Sequence, residues 1–149
     1  MKAKLLVLAM MLTASFSTHA ISERDKAEMM SLMNDASPYI VGMGKSVDEV
    51  CSGMANDMVK KYGYKLSYAG KSPSEIRDSA SGICLDAASS AYSAQSIEEI
   101  SMWKKSALQN VNQTFHGKSS AARDFLEETI ANSEKMAKPI AFMMGLNKK

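Results

Sequence analysis

Few residues of this chain have chemistry to offer. They are two cysteines, one histidine beyond the first twenty residues, two pairs of adjacent glutamates, a lysine on an apolar stripe, and many of thirteen methionines. Cys51 and Cys84 form no Cys-x-x-Cys motif and read as a structural pair, not a redox couple. Once paired, they leave His116 without a thiol to activate. His116 precedes Gly117 in an expected loop, and a general base needs a nucleophile or carboxylate beside it in space. An exposed loop histidine is the simpler reading. Glu98-Glu99 and Glu127-Glu128 could serve sugar cleavage, but neighbours on a helix diverge by about 100°. A glycosidase needs its two carboxyls set across a cleft, so a peptidoglycan hydrolase working through carboxylates is the second reading of function. Met29, Met30 and Met33 cluster, as do Met54 with Met58 and Met143 with Met144. Thioether clusters hold Cu(I). Most of these methionines nevertheless fall on apolar helical stripes, where they fill irregular gaps in a core. A copper carrier or methionine-built periplasmic chaperone is thus the third reading. One histidine and no free thiol give no zinc set, and no metal or cofactor is expected.

Helices must position these groups. Serine opens four of the five expected helices: Ser22-Glu23-Arg24-Asp25, Ser46-Val47-Asp48-Glu49, Ser72-Pro73-Ser74-Glu75 and Ser96-Ile97-Glu98-Glu99 resemble capping boxes. Pro73 suits a first helical position, and Gly63 and Gly117 are placed to stop helices. Apolar residues recur at helical spacing in Val47–Tyr62, Ile76–Ala91, Ile97–Phe115 and Ala122–Met143. The last stripe keeps its phase across Pro139, so a kinked helix is expected to continue to about Met144. A less regular helix covers Ser22 to Asp35, and Pro38 to Gly44 is a short apolar turn. No convincing strand appears. The expectation is an all-α bundle of about five helices, in one domain spanning residues 21–149.

Cys51 and Cys84 are expected to form a disulfide. With the second helix ending near Tyr62 and the third starting near Pro73, each cysteine lies about 16 Å from the connecting loop. An antiparallel hairpin would set them level, and Ala80, Gly82, Ala87 and Ala88 would allow close approach.

Compartment supports that pairing. Met1-Lys2-Ala3-Lys4 is a cationic start, Leu5 to Phe16 is apolar, and Thr18 and Ala20 are small residues where a signal peptidase reads. Residues 1–20 are therefore read as a secretory signal cleaved after Ala20. The product is expected in the periplasm or outside the cell, where disulfides persist. Loss of Lys2 and Lys4 takes the formal net charge from +2 to zero. A neutral surface argues against nucleic acid as a partner and is compatible with a homodimer. No segment after residue 20 has the length of a transmembrane helix. Asn112-Gln113-Thr114 is a glycosylation sequon, meaningful only in a eukaryotic source.

What remains is surface. Tyr62-Gly63-Tyr64-Lys65-Leu66-Ser67-Tyr68-Ala69-Gly70 reads as the loop between the second and third helices, with rigid rings between small residues as in recognition loops. Lys104 falls within the stripe of Ile97, Ile100, Leu108 and Val111, so it must snorkel, meet a buried carboxylate or face a partner. Trp103 flanks the same stripe. The leading expectation is a non-enzymatic envelope protein that binds a partner protein through Tyr64, Tyr68, Trp103 and Lys104. Inhibitors of cell-wall hydrolases and immunity proteins against periplasmic toxins share this size, compartment and composition, an analogy that no common motif supports.

Overall fold

Serine precedes every helix of the computed structural model, which describes residues 21–148. The expected signal and its cleavage point at residues 1–20 lie outside the described residues. Five helices follow in order: α1 (Glu23–Ala36), α2 (Val47–Ser67), α3 (Pro73–Ser93), α4 (Ile97–Phe115) and α5 (Ala121–Leu146). The Ser22, Ser46, Ser72 and Ser120 hydroxyls each accept a backbone N–H from the first turn that follows. Glu49 and Glu75 complete full capping boxes by accepting the Ser46 and Ser72 N–H groups. The box expected at Ser96 does not close, and its hydroxyl makes no cap bond to the backbone. Glu99 reaches past it to accept from the Gln95 N–H at 3.2 Å.

The architecture is an all-α bundle in which α2 and α3 pack antiparallel and α5 contacts each of the other four helices. Helix α5 can be central because one edge is small. Thr129, Ser133, Ala137, Ala141 and Gly145 recur every fourth residue, and all are buried. The Thr129 hydroxyl donates to the Phe125 carbonyl at 2.7 Å, and that of Ser133 lies 3.5 Å from the Met54 sulfur. At the end of this edge, a Cβ on Gly145 would stand 2.7 Å from the Gln95 carbonyl oxygen. The core is built on methionine and alanine: Met54 and Met136 cluster with Ala87 and Ala91, and Met58 clusters with Ala80. Helix α5 runs unbroken through the buried Pro139 to Leu146, slightly beyond the expected end.

Cys51 and Cys84 are bonded, fully buried, and 5.5 Å apart at Cα. The second helix does not end near Tyr62, where it was expected to end. Helix α2 does not stop at Gly63 but continues to Ser67, so Cys51 lies about 24 Å from its end and Cys84 only about 16 Å from the start of α3. The bond still forms because α2 projects past the start of α3 by the difference, about 8 Å. Burial drives the extension. Continuing the helix puts Leu66 into the core with 2 % exposure, worth about 1.5–3 kcal/mol. A glycine inside a helix costs only about 1 kcal/mol. The terminator is Gly70, at φ 73°. The Lys71 N–H bonds to the Leu66 carbonyl and the Gly70 N–H to that of Ser67, a Schellman stop.

Candidate protein-binding end of α2

Tyr64 and Tyr68 were expected in a loop, but lie on the projecting end of α2: Tyr64 is inside the helix and Tyr68 is its cap residue in helical conformation. Helical spacing places them on the face that also carries Asp57 and Lys61. Lower on that face, Tyr39 from the α1–α2 connection donates its hydroxyl to Asp57 at 2.9 Å. Burial, and then that carboxylate, push the Tyr39 hydroxyl up to about 12. Above Asp57 the face is uncovered, and Tyr64 and Tyr68 are 77 % and 76 % exposed.

The two rings form one unit. They meet edge to face with centroids 5.1 Å apart, and the Tyr68 hydroxyl donates to that of Tyr64. This bond raises the Tyr68 pKa, with a smaller contribution from desolvation. Beneath them Tyr62 packs edge to face on Phe125 at 5.8 Å. The Lys61 and Lys65 ammonium groups lie 5.6 and 6.0 Å from the Tyr62 ring centroid.

A carboxylate pins this end to α5. Glu128 accepts from the Tyr62 hydroxyl at 2.6 Å and from Lys61 at 2.7 Å. Glu128, one of the adjacent glutamates, is thereby engaged by α2. Burial raises its pKa, but the bonds from Lys61 and Tyr62 outweigh that and hold it below the usual range. The same environment, burial first, raises the Tyr62 hydroxyl.

Trp103 and Lys104 lie elsewhere, in the middle of α4. Along the bundle they are separated from the tyrosines by about 20 Å, judged from the helix rise. The indole N–H of Trp103 donates to Asp86 of α3 at 2.7 Å. Lys104 donates to Glu134 of α5 at 2.7 Å, and Lys138 approaches the other oxygen of the same carboxylate at 3.0 Å. Of the three fates open to Lys104, the structure shows pairing with a buried carboxylate: the Glu134 side chain is 8 % exposed. Burial raises the Glu134 pKa, but the two lysines overcome this and leave it lowered. The four candidate residues therefore divide into an exposed tyrosine pair and a Trp103–Lys104 pair that ties α4 to its neighbours. The partners Asp86 and Glu134 were not anticipated. Only the i, i+4 spacing of Glu134 and Lys138 hinted at the second.

Other candidates have local explanations. His116 ends α4 in the left-handed region, at φ 50°. Its N–H bonds to the Gln113 carbonyl while that of Gly117 bonds to Asn112, so His116 fills the position that usually takes glycine. Met29, Met33, Met54, Met58 and Met136 are buried in the core, whereas Met43 and Met102 are exposed. Open depressions among the described residues include the following. One of about 490 Å³ lies where α1, the α3–α4 turn and the end of α5 meet. A groove of about 710 Å³ runs between α4 and α5. A wedge of about 430 Å³ separates the start of α3 from the end of α4 and the start of α5. No described helix is long and apolar enough to cross a membrane. No protein-family model, curated protein or solved structure matches the chain.

Proposed function

We propose that the chain is an exported, non-enzymatic protein-binding module of the bacterial envelope, such as an inhibitor or immunity protein against an envelope-targeting hydrolase or toxin. The Tyr64–Tyr68 end of α2 is its contact surface. One observation carries this reading: two large rings stay about three-quarters exposed on a helix end that is otherwise fixed. The Glu128 ties and the Schellman stop hold that end. Tyrosine is enriched among the residues that dominate binding energy. It adds contact area at little entropic cost when its backbone is already ordered.

Electrostatics lend support. Glu49, Glu75, Glu98, Glu128 and Glu134 all have pKa values shifted down, by hydrogen bonds to backbone, hydroxyl and lysine groups. A general acid for glycoside cleavage needs the opposite shift. The buried disulfide fits an oxidising compartment.

The test uses the purified chain immobilised and exposed to an envelope extract of the producing organism. The reading expects saturable capture of a discrete protein, lost in the Tyr64→Ala/Tyr68→Ala variant and kept in His116→Ala. Clearing of a peptidoglycan zymogram by the purified chain, or capture indifferent to the tyrosines, would refute it.

A further inference from the structure

Only Ile100 and Val111 of α4 are buried, and the helix rests chiefly on α5. The two run antiparallel through the turn at 116–120 and leave between them the open groove of about 710 Å³. Half-buried Leu108 and Ala131 give this groove an apolar lining, bordered by the amides of Gln109 and Asn112. The aliphatic stems of Lys104 and Arg123 extend that lining. The excess charge is positive. Beyond Glu99, α4 carries Lys104 and Lys105 and no carboxylate. Helical spacing puts Arg123, Glu127, Glu134 and Lys138 on the side of α5 that faces it. Both carboxylates are already engaged: Glu127 accepts from Arg123 at 2.7 Å, and Glu134 is held between Lys104 and Lys138. Because Lys104 and Glu134 are level, the next residue on each antiparallel helix turns by about 100° toward the same side. Lys105 and Lys135 therefore stand at one height on opposite rims, exposed and making no ion pair among the described residues.

The geometry points to an acidic amphipathic helix of a partner protein as the occupant of this groove. Two antiparallel helices offer a furrow between their ridges in which a third helix packs. Such docking is carried by apolar anchors three and four residues apart on the incoming helix. Those anchors meet Leu108 and Ala131, while carboxylates on the two flanks meet Lys105 and Lys135. Arg123 and Ala131 are separated by about 12 Å along α5, so the contact is about two to three turns long. A nucleic acid or another polyphosphate would satisfy the lysines but bring nothing to bury against Leu108 and Ala131. Charges at such a rim act on encounter rate and on partner choice, and added salt weakens them.

This surface is separate from the Tyr64–Tyr68 end and goes beyond the proposed function: it supplies a second contact and states the chemistry of what fills it. Fluorescence anisotropy on the purified chain tests it, with a labelled synthetic helix that bears leucine and alanine on one stripe and glutamate on both flanks. The expected result is saturable, salt-sensitive binding that weakens at least about tenfold in Lys105→Glu/Lys135→Glu. It also weakens in Leu108→Gln, and Tyr64→Ala/Tyr68→Ala leaves it unchanged. Circular dichroism melts of each variant check that the fold is intact. A scrambled peptide of the same composition, or a DNA duplex, that binds as tightly would mark a general polyanion face and overturn the inference. Binding indifferent to both lysines, or no binding up to about 1 mM peptide, overturns it equally. None of these results bears on the tyrosine surface, which the capture experiment tests by itself.

Discussion

Glu134 and Glu128 show how single residues hold this molecule together. Each is a carboxylate of α5 drawn partly out of water and paid back by a cation from another helix, Lys104 of α4 or Lys61 of α2. Removing the charge from Glu134 leaves Lys104 and Lys138 without their counter-charge and one of them without an acceptor oxygen, and Glu134→Gln is expected to lose about 1–3 kcal/mol. Both carboxylates titrate below their ordinary 4.5 in the fold, so the unfolded chain binds protons more readily than the native one. Their contribution is therefore complete above about 4.5 and drains away as pH falls through the lower folded values. Urea midpoints measured from pH 7 to pH 3 should fall more gently on the acid side in Glu128→Gln/Glu134→Gln than in the parent. Parallel curves would contradict the assignment. His116 makes a different point. Its value lies in its backbone, held in a region where a Cβ is unfavourable. His116→Gly is expected to raise stability by about 1 kcal/mol, read from the same urea curves. Lys104 could be recognised in the sequence as a misplaced charge. Its partner could not, because nothing local says which of sixteen acidic residues a lysine will meet across a helix interface.

At the scale of elements, caps were more legible than stops. Serine with glutamate three residues on marked the starts of α2 and α3, since both bonds form within one turn. Stops depend on what lies beyond. Gly63 and Gly70 look alike in sequence, and burial of Leu66, a tertiary fact, decides that the second one ends α2. That shift turns an expected tyrosine loop into a rigid helix end. Similarly, the amphipathic stripe of α5 was visible but its second buried edge was not, because Thr129, Ser133 and Gly145 are not apolar. The close approach at the end of this edge is testable. Gly145→Ala would drive a Cβ against the Gln95 carbonyl and is expected to cost about 1–3 kcal/mol. Differential scanning calorimetry would show the lowered melting temperature. An unchanged one would mean that the α3–α4 turn yields without cost.

The whole molecule is a methionine- and alanine-rich bundle whose α2–α3 hairpin is stapled and whose end carries two uncovered rings. The staple closes a separation of 33 residues, which in the chain-entropy account stabilises the fold by about 4 kcal/mol. Cys51→Ala/Cys84→Ala should lose about that much in denaturant titrations, and a loss under 1 kcal/mol would mean the unfolded chain is already constrained. The tyrosines contrast with the staple: removing them should leave stability within about 0.5 kcal/mol, because they bury almost nothing. A surface kept at no benefit to folding is what a recognition surface looks like. The central claim is that this surface contacts another protein, and photo-crosslinking tests it most directly. With p-benzoyl-phenylalanine at position 68, irradiation of the chain in the producing organism's envelope should yield a discrete adduct with a mass increment other than that of the chain itself. The same probe at exposed position 110 on α4 should yield none. Equal labelling from both positions, or no such adduct from position 68, would contradict the account.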